Sequence, residues 1–85
     1  MDLKQQLKQM IIEELRLIEF TADDILDGDQ LFGPKFGLDS IDAIEVVHQL
    51  KKCFGVEIKD MKEGRPILQS IDTICAFIEE YRAAA

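Results

Sequence analysis

The sequence predicts an all-α protein: a four-helix bundle with three long helices, one short third helix, and a long loop between helices one and two. Three observations lead there. Apolar residues recur at spacings of three and four in three separate stretches, the signature of helices that bury one face. Helix formers dominate, and five glycines and two prolines are too few for a disordered or turn-rich chain. The alternating stretch Val56-Glu57-Ile58 is too short to build a sheet. At 85 residues the chain is one domain, residues 1–85, with a modest core and little room for a deep catalytic cleft.

Residues 1–20 carry Leu3, Leu7, Ile11, Leu15 and Ile18 on one helical face, widened by Met10, Ile12 and Leu17. Asp2 stands where a side-chain oxygen can cap the start. Residues 21–37 form the long connection. Thr21 with Asp24 can cap a short turn, Gly33-Pro34 turns the chain, and Leu31, Phe32 and Phe36 anchor the loop to the core. Asp23, Asp24, Asp27 and Asp29 suggest a calcium loop. Counting from Asp23, however, Ile25 falls on a required oxygen ligand and Pro34 on the bidentate acid, so an EF-hand is excluded.

Residues 39–54 form the second helix. Asp39 can accept from the first-turn N–H groups, and Asp42 adds negative charge at the positive helix end. Ala43, Val46, Val47, Leu50 and Phe54 share its core face, while Ile41, Ile44 and His48 project from the opposite side. Gly55 ends the helix in a left-handed conformation. Residues 59–65 hold a single short turn, which Gly64 and Arg65-Pro66 stop. Ser70 caps the last helix. Ile71, Ile74, Cys75, Ile78 and Tyr81 line its core face with Phe77 beside them, Arg82 suits its negative end, and residues 83–85 should fray.

The formal net charge is −7, from 17 acids and 10 bases. That argues against nucleic acid, whose binding rests on Lys and Arg neutralising phosphates, and against an anionic membrane surface. An acidic field steers in partners with basic docking patches, though it also simply confers solubility. Cys53 and Cys75 lie far apart in helical patterns and, with one histidine, make no metal-ligand set. No apolar run approaches membrane-spanning length and no apolar signal region opens the chain, so a cytoplasmic monomer with reduced thiols is expected. An intermolecular disulfide through Cys53 is left open.

The chemistry concentrates at Gly37-Leu38-Asp39-Ser40-Ile41. Ser40 sits at a helix start, where it can be a nucleophile, an attachment point, or only a helix-start serine. His48, the one histidine, lies two turns on with no acidic orienter evident, so no triad is visible and no enzyme is expected. The Ile41/Ile44 stripe fits a docking surface, and equally a second packing partner inside the domain.

With the helix behind it, this stretch resembles the acyl carrier protein family, which attaches 4′-phosphopantetheine to the serine of an Asp-Ser-Leu motif, here Asp39-Ser40-Ile41. Asp24 and Phe32 match its acidic loop residue and aromatic anchor. Asp42, Ile44, Glu45, Val47 and Leu50 match its recognition helix, Phe54 and Glu57-Ile58 the exit, and Ser70-Ile71 and Phe77-Ile78 the last helix. The resemblance spans essentially the whole chain. It implies a 4′-phosphopantetheine arm on Ser40, transferred from coenzyme A by a phosphopantetheinyl transferase using Mg²⁺, with Asp39 helping to position that metal in the transient complex. It implies acyl groups held as thioesters and presented to acyl-transferring, condensing or ligase enzymes of fatty-acid, lipid or polyketide-type biosynthesis. The docking residues carried over are Ile41, Ile44, Glu45 and His48. Val47, Leu50, Ile58, Ile67 and Leu68 are candidate acyl-chain lining, although each is more simply core.

The chain also departs from that family. Lys51-Lys52-Cys53 replaces an acidic helix end, His48 a common methionine, and Lys35 an acid before the motif. Lys51 and Lys52 thereby join the docking residues with the opposite charge. The segment Met61-Lys62-Glu63-Gly64-Arg65-Pro66 is less acidic and about two residues longer. These changes point to a specialised carrier with its own partners, against neutral drift on a solvated surface. Two alternatives remain: a peptidyl or aminoacyl carrier with the same fold and serine, and an unmodified helical interaction module using the Ile41/Ile44 stripe.

Overall fold

The computed structural model describes residues 2–84. Its helices are α1 (Leu3–Glu14), α2 (Ser40–Phe54), α3 (Met61–Ile67) and α4 (Ile71–Ala84), with a 3₁₀ turn at Ala22–Asp24 and no strand among the described residues. The all-helical bundle expected from periodicity is the observed architecture. α1 packs against both α2 and α4, and α3 against α4.

Each long helix begins with a side-chain cap, which is why the starts were readable. Asp2 accepts from the Gln5 N–H at 2.8 Å. At α4, Ser70 Oγ accepts from the Thr73 N–H at 3.2 Å while Thr73 Oγ1 accepts from the Ser70 N–H at 2.9 Å. The Thr73 hydroxyl also donates to the Ile67 carbonyl at 2.7 Å, tying the end of α3 to the start of α4. Such caps satisfy donors that a helix cannot satisfy internally.

The ends were less readable. α1 stops at Glu14, not near residue 20. Arg16 takes φ 53°, and the Leu17 N–H reaches back to the Ile12 carbonyl at 3.0 Å, a Schellman closure built on a non-glycine residue. The chain therefore leaves the helical face, and Ile18, expected in the core, is 93% exposed. Met1, also assigned to this helix, lies outside the described residues.

α3 is a second correction. It continues through Gly64 and Pro66 to Ile67. Asp60 caps it by accepting from the Glu63 N–H at 2.8 Å, and Pro66 sits on the exposed side, where water can serve the carbonyl that loses its helical donor. Gly64 fits a close approach: a Cβ there would stand 3.1 Å from Ile58 Cγ2, so that side chain would have to give way by a few tenths of an ångström. At the far end α4 is helical through Ala84, and Ala85 lies outside the described residues. Tyr81, placed on the core face by spacing, is 37% exposed.

The core joins Leu7, Met10 and Ile11 of α1 to Ala43, Val46, Leu50 and Phe54 of α2 and to Ile71, Ile74, Cys75 and Ile78 of α4. On α2, Val47 is only half-buried and Gln49 takes a core position instead. Its side-chain amide donates to Glu45 Oε1 at 3.0 Å, which offsets the cost of burying it. The long loop contributes Ile25, Leu31 and Phe36 to the same core, and Phe20 meets Phe36 edge-on at 5.0 Å. Backbone bonds hold the loop down, from the Leu31 N–H to the Gln69 carbonyl at 2.9 Å and from the Asp72 N–H to the Asp27 carbonyl at 3.0 Å. Phe32 packs at the margin, half-buried. Cys75 is buried and Cys53 exposed. Burial, with the Glu79 carboxylate beside it, pushes the Cys75 thiol up to about 11.

Charged residues reinforce the loop. Lys4 lies 3.3 Å from Asp27 and 3.0 Å from Asp72, and Lys8 lies 2.8 Å from Asp27, joining α1, the loop and α4. Hydrogen bonds from Lys8 and Lys4 hold the Asp27 carboxyl below its ordinary value of 3.8, and the bond from Lys35, with the Leu26 N–H, does the same for Asp29. Hydrogen bonds to Asp72 and Asp27 raise Lys4 above its ordinary 10.5. The carboxylates thus contribute stability that is complete above their unfolded values near pH 3.8 and lost as pH falls through the lower folded values. Lys4 contributes stability that is complete below pH 10.5 and lost as pH rises through its folded value. Asp27→Asn is therefore expected to flatten the acid limb of the stability profile, read from urea midpoints between pH 2 and 6. An unchanged acid limb would show that these exposed pairs contribute nothing.

Candidate functional site: the start of α2 and the cleft beside it

The approach to α2 is set by Gly37, whose φ of 67° suits a residue without a Cβ, and whose N–H donates to the Gly33 carbonyl at 3.1 Å. Lys35, which broke the expected acidic pattern here, braces this loop: Nζ is 2.7 Å from Asp29 Oδ2 and donates to the Asp24 carbonyl at 3.1 Å. Asp39 then takes extended backbone, and its Oδ1 accepts from the Ile41 and Asp42 N–H groups at 3.0 and 3.2 Å. Asp42 Oδ2 accepts in return from the Asp39 N–H at 3.0 Å. This reciprocal box fixes the first turn of α2 without using the serine within it. Ser40 is the first helical residue, is exposed, and its hydroxyl has no hydrogen-bond partner among the described residues.

Beside Ser40 opens a cleft of about 530 Å³ between the start of α2, α3 and the preceding loop. Leu38, Ile44, Met61 and Leu68 give it apolar walls, and Gln30, Gln69 and Arg65 add amide and guanidinium groups. Spacing alone missed the α3 side of this cleft. The available signal was Met61 and Arg65 four residues apart, on one face of any helix there. Reading Gly64-Arg65-Pro66 as a breaker concealed it. Of the five candidate acyl-lining residues only Leu68 borders the cleft. Leu50 and Ile58 are in the core, and Val47 and Ile67 pack half-buried against it.

The outward face of α2 continues from the same point. Ile41 is 73% and Ile44 60% exposed, and His48, Lys51 and Lys52 are exposed further along. Among the described residues no helix covers this stripe at Ile41 and Ile44. Glu45 differs, being half-buried with its carboxylate engaged by Gln49. Lys51 approaches Glu57 only to 3.8 Å, and no acidic partner holds His48 among the described residues. Among those residues no helix is long and apolar enough to cross a membrane.

Comparison with known proteins follows this geometry closely. Residues 5–62 match the family described as a phosphopantetheine attachment site, a stretch that contains Asp39, Ser40 and the whole of α2. An acyl carrier protein from Campylobacter hominis is 29% identical over 79 residues, covering 93% of this chain and 92% of the relative. The cleft suits the prosthetic group in chemistry: a phosphopantetheine arm is a phosphodiester followed by a gem-dimethyl chain and two amides, and the walls offer apolar surface, amides and one cation. The chain belongs to the acyl carrier protein family, and its prosthetic group is a covalently attached 4′-phosphopantetheine.

Proposed function

We propose that Ser40 is the attachment residue and that the chain is a non-catalytic carrier, holding acyl groups as thioesters on the arm and presenting them to successive enzymes. One observation carries this: Ser40 is an exposed, unpartnered hydroxyl at the mouth of a cleft, on a helix turn already capped by Asp39 and Asp42. The cap leaves the hydroxyl free for an incoming group, and a fixed first turn keeps it in one place for the transferase. When attached, the arm supplies a terminal thiol for thioester formation. Asp39 has a second oxygen, Oδ2, beyond the one that caps the helix, and we assign to it the positioning of Mg²⁺ in the transferase complex. Co-expression with a phosphopantetheinyl transferase should add one phosphopantetheine to the intact mass. No addition would favour the unmodified interaction module instead.

Docking of the acyl-handling enzymes falls to the outward stripe of α2. Ile41 and Ile44 supply desolvated apolar contact, and Glu45, His48, Lys51 and Lys52 supply charge and hydrogen bonds at its rim. Basic residues at the end of α2 suit a partner with an acidic patch, which sets this carrier apart from one serving a general fatty-acid synthase. The double reversal Lys51→Glu/Lys52→Glu is expected to raise elongation rates with such a synthase by about tenfold at low salt, with the gain shrinking as salt screens it. Equal rates for the unaltered protein and a standard carrier would refute the specialisation. Loading by an adenylating ligase with an amino acid, not a fatty acid, would move the protein to the aminoacyl carriers.

A further inference from the structure

The cleft beside Ser40 raises a question of charge. Two carboxylates, Asp39 and Asp42, flank the Ser40 hydroxyl in sequence and are locked at the helix start by their capping bonds. The N–H groups of Ile41 and Asp42, which would otherwise receive an anion, already point at Asp39. A phosphodiester on Ser40 therefore arrives in a locally negative place whose best donors are taken.

One base of the chain lines the cleft and can answer it. Lys4 and Lys8 are paired with Asp27 and Asp72, and Lys35 with Asp29. Lys51 and Lys52 stand at the opposite end of α2. Arg65 is the cation that borders the Ser40 cleft, and it has no hydrogen-bond or ion-pair partner among the described residues. It rises from α3, a helix of seven residues with a glycine and a proline inside it, held mainly on its α4 side.

We propose that Arg65 is the counter-ion of the phosphodiester on Ser40, a positioning residue that lays the arm along the cleft and fastens α3 to the start of α2 once the protein is loaded. A guanidinium presents two parallel N–H groups to a phosphate, so the pair sets direction as well as charge. The arm beyond the phosphate is then directed between Leu38 and Met61 and away from open solvent. Loading in this way alters the protein's own dynamics, stiffening the short helix that has a glycine and a proline inside it. The inference rests on attachment at Ser40.

The test compares apo and phosphopantetheinylated forms of the unaltered protein, Arg65→Gln and Arg65→Lys, with intact mass confirming loading in each. Amide hydrogen exchange across α3 should slow about fivefold on loading of the unaltered protein, the scale expected of one partly exposed charge pair, and the slowing should fade in high salt. Arg65→Gln should abolish that response and leave the ³¹P resonance of its loaded form insensitive to salt, while Arg65→Lys should retain part of it. Equal slowing in the unaltered protein and Arg65→Gln would overturn the role of Arg65 while leaving the attachment standing. Failure of the unaltered protein to load, or loading that survives Ser40→Ala, would overturn the attachment and this inference together.

Discussion

Ser40→Ala is expected to abolish phosphopantetheine addition completely while leaving the fold unchanged. The first half follows from chemistry: an oxygen must become the bridging atom of the phosphodiester, and alanine has none. The second half follows from the helix start. Asp39 and Asp42 make the capping bonds, so removing the Ser40 hydroxyl breaks no hydrogen bond within the described residues. Alanine also has the higher helix propensity at an exposed helical position. Stability should therefore shift by less than about 0.5 kcal/mol, as for exposed substitutions generally. Intact mass and a denaturant midpoint read the two halves independently. Retained addition would relocate the attachment site, and a large loss of stability would mean that Ser40 belongs to the cap after all.

Leu31→Ala is expected to cost about 2–5 kcal/mol although Leu31 lies in a loop. Loops usually tolerate substitution because they run over the surface. This one does not run free: Leu31 is 1% exposed within the main core, and its N–H bonds to the Gln69 carbonyl at the α3–α4 junction. A domain of this size has about 4–13 kcal/mol to lose, so the variant should approach or pass the unfolding threshold. Leu26, five residues earlier and 60% exposed, provides the contrast, with Leu26→Ala expected within about 0.5 kcal/mol. Urea unfolding of both variants decides the matter. Equal small effects would mean that the long loop is draped over the core and does not form part of it.

How much of this was legible in the sequence depended on which interactions announce themselves locally. The starts of the three long helices did, because a cap is written within four residues, as Asp39 and Asp42 show. The three long helices and the outward stripe at Ile41 and Ile44 followed from period alone. The end of α1 did not, because Arg16 takes a left-handed conformation that normally advertises itself with glycine. α3 was foreshortened because Gly64 and Pro66 act as punctuation in most settings. Here Gly64 answers a contact with Ile58, and Pro66 is exposed near the helix end. Gln49 entered the core through a side-chain bond to Glu45 that hydrophobic pattern cannot register. At the candidate site, the α2 half was readable as one contiguous motif. The half carrying Met61 and Arg65 is assembled by tertiary packing across more than twenty residues.

The burial of Cys75 has a practical chemical side. A loaded carrier holds three thiols, two from the chain and one at the tip of the arm, and any labelling or oxidation experiment must tell them apart. With its thiol held to about 11 and packed against the core, Cys75 stays almost wholly protonated near neutral pH and out of reach of an alkylating reagent. Cys53 is exposed and remains the arm's one competitor from within the chain. A Cys53→Ser background therefore gives the folded protein a single addressable sulfur, so that maleimide uptake counts free arms directly and its loss counts acyl cargo.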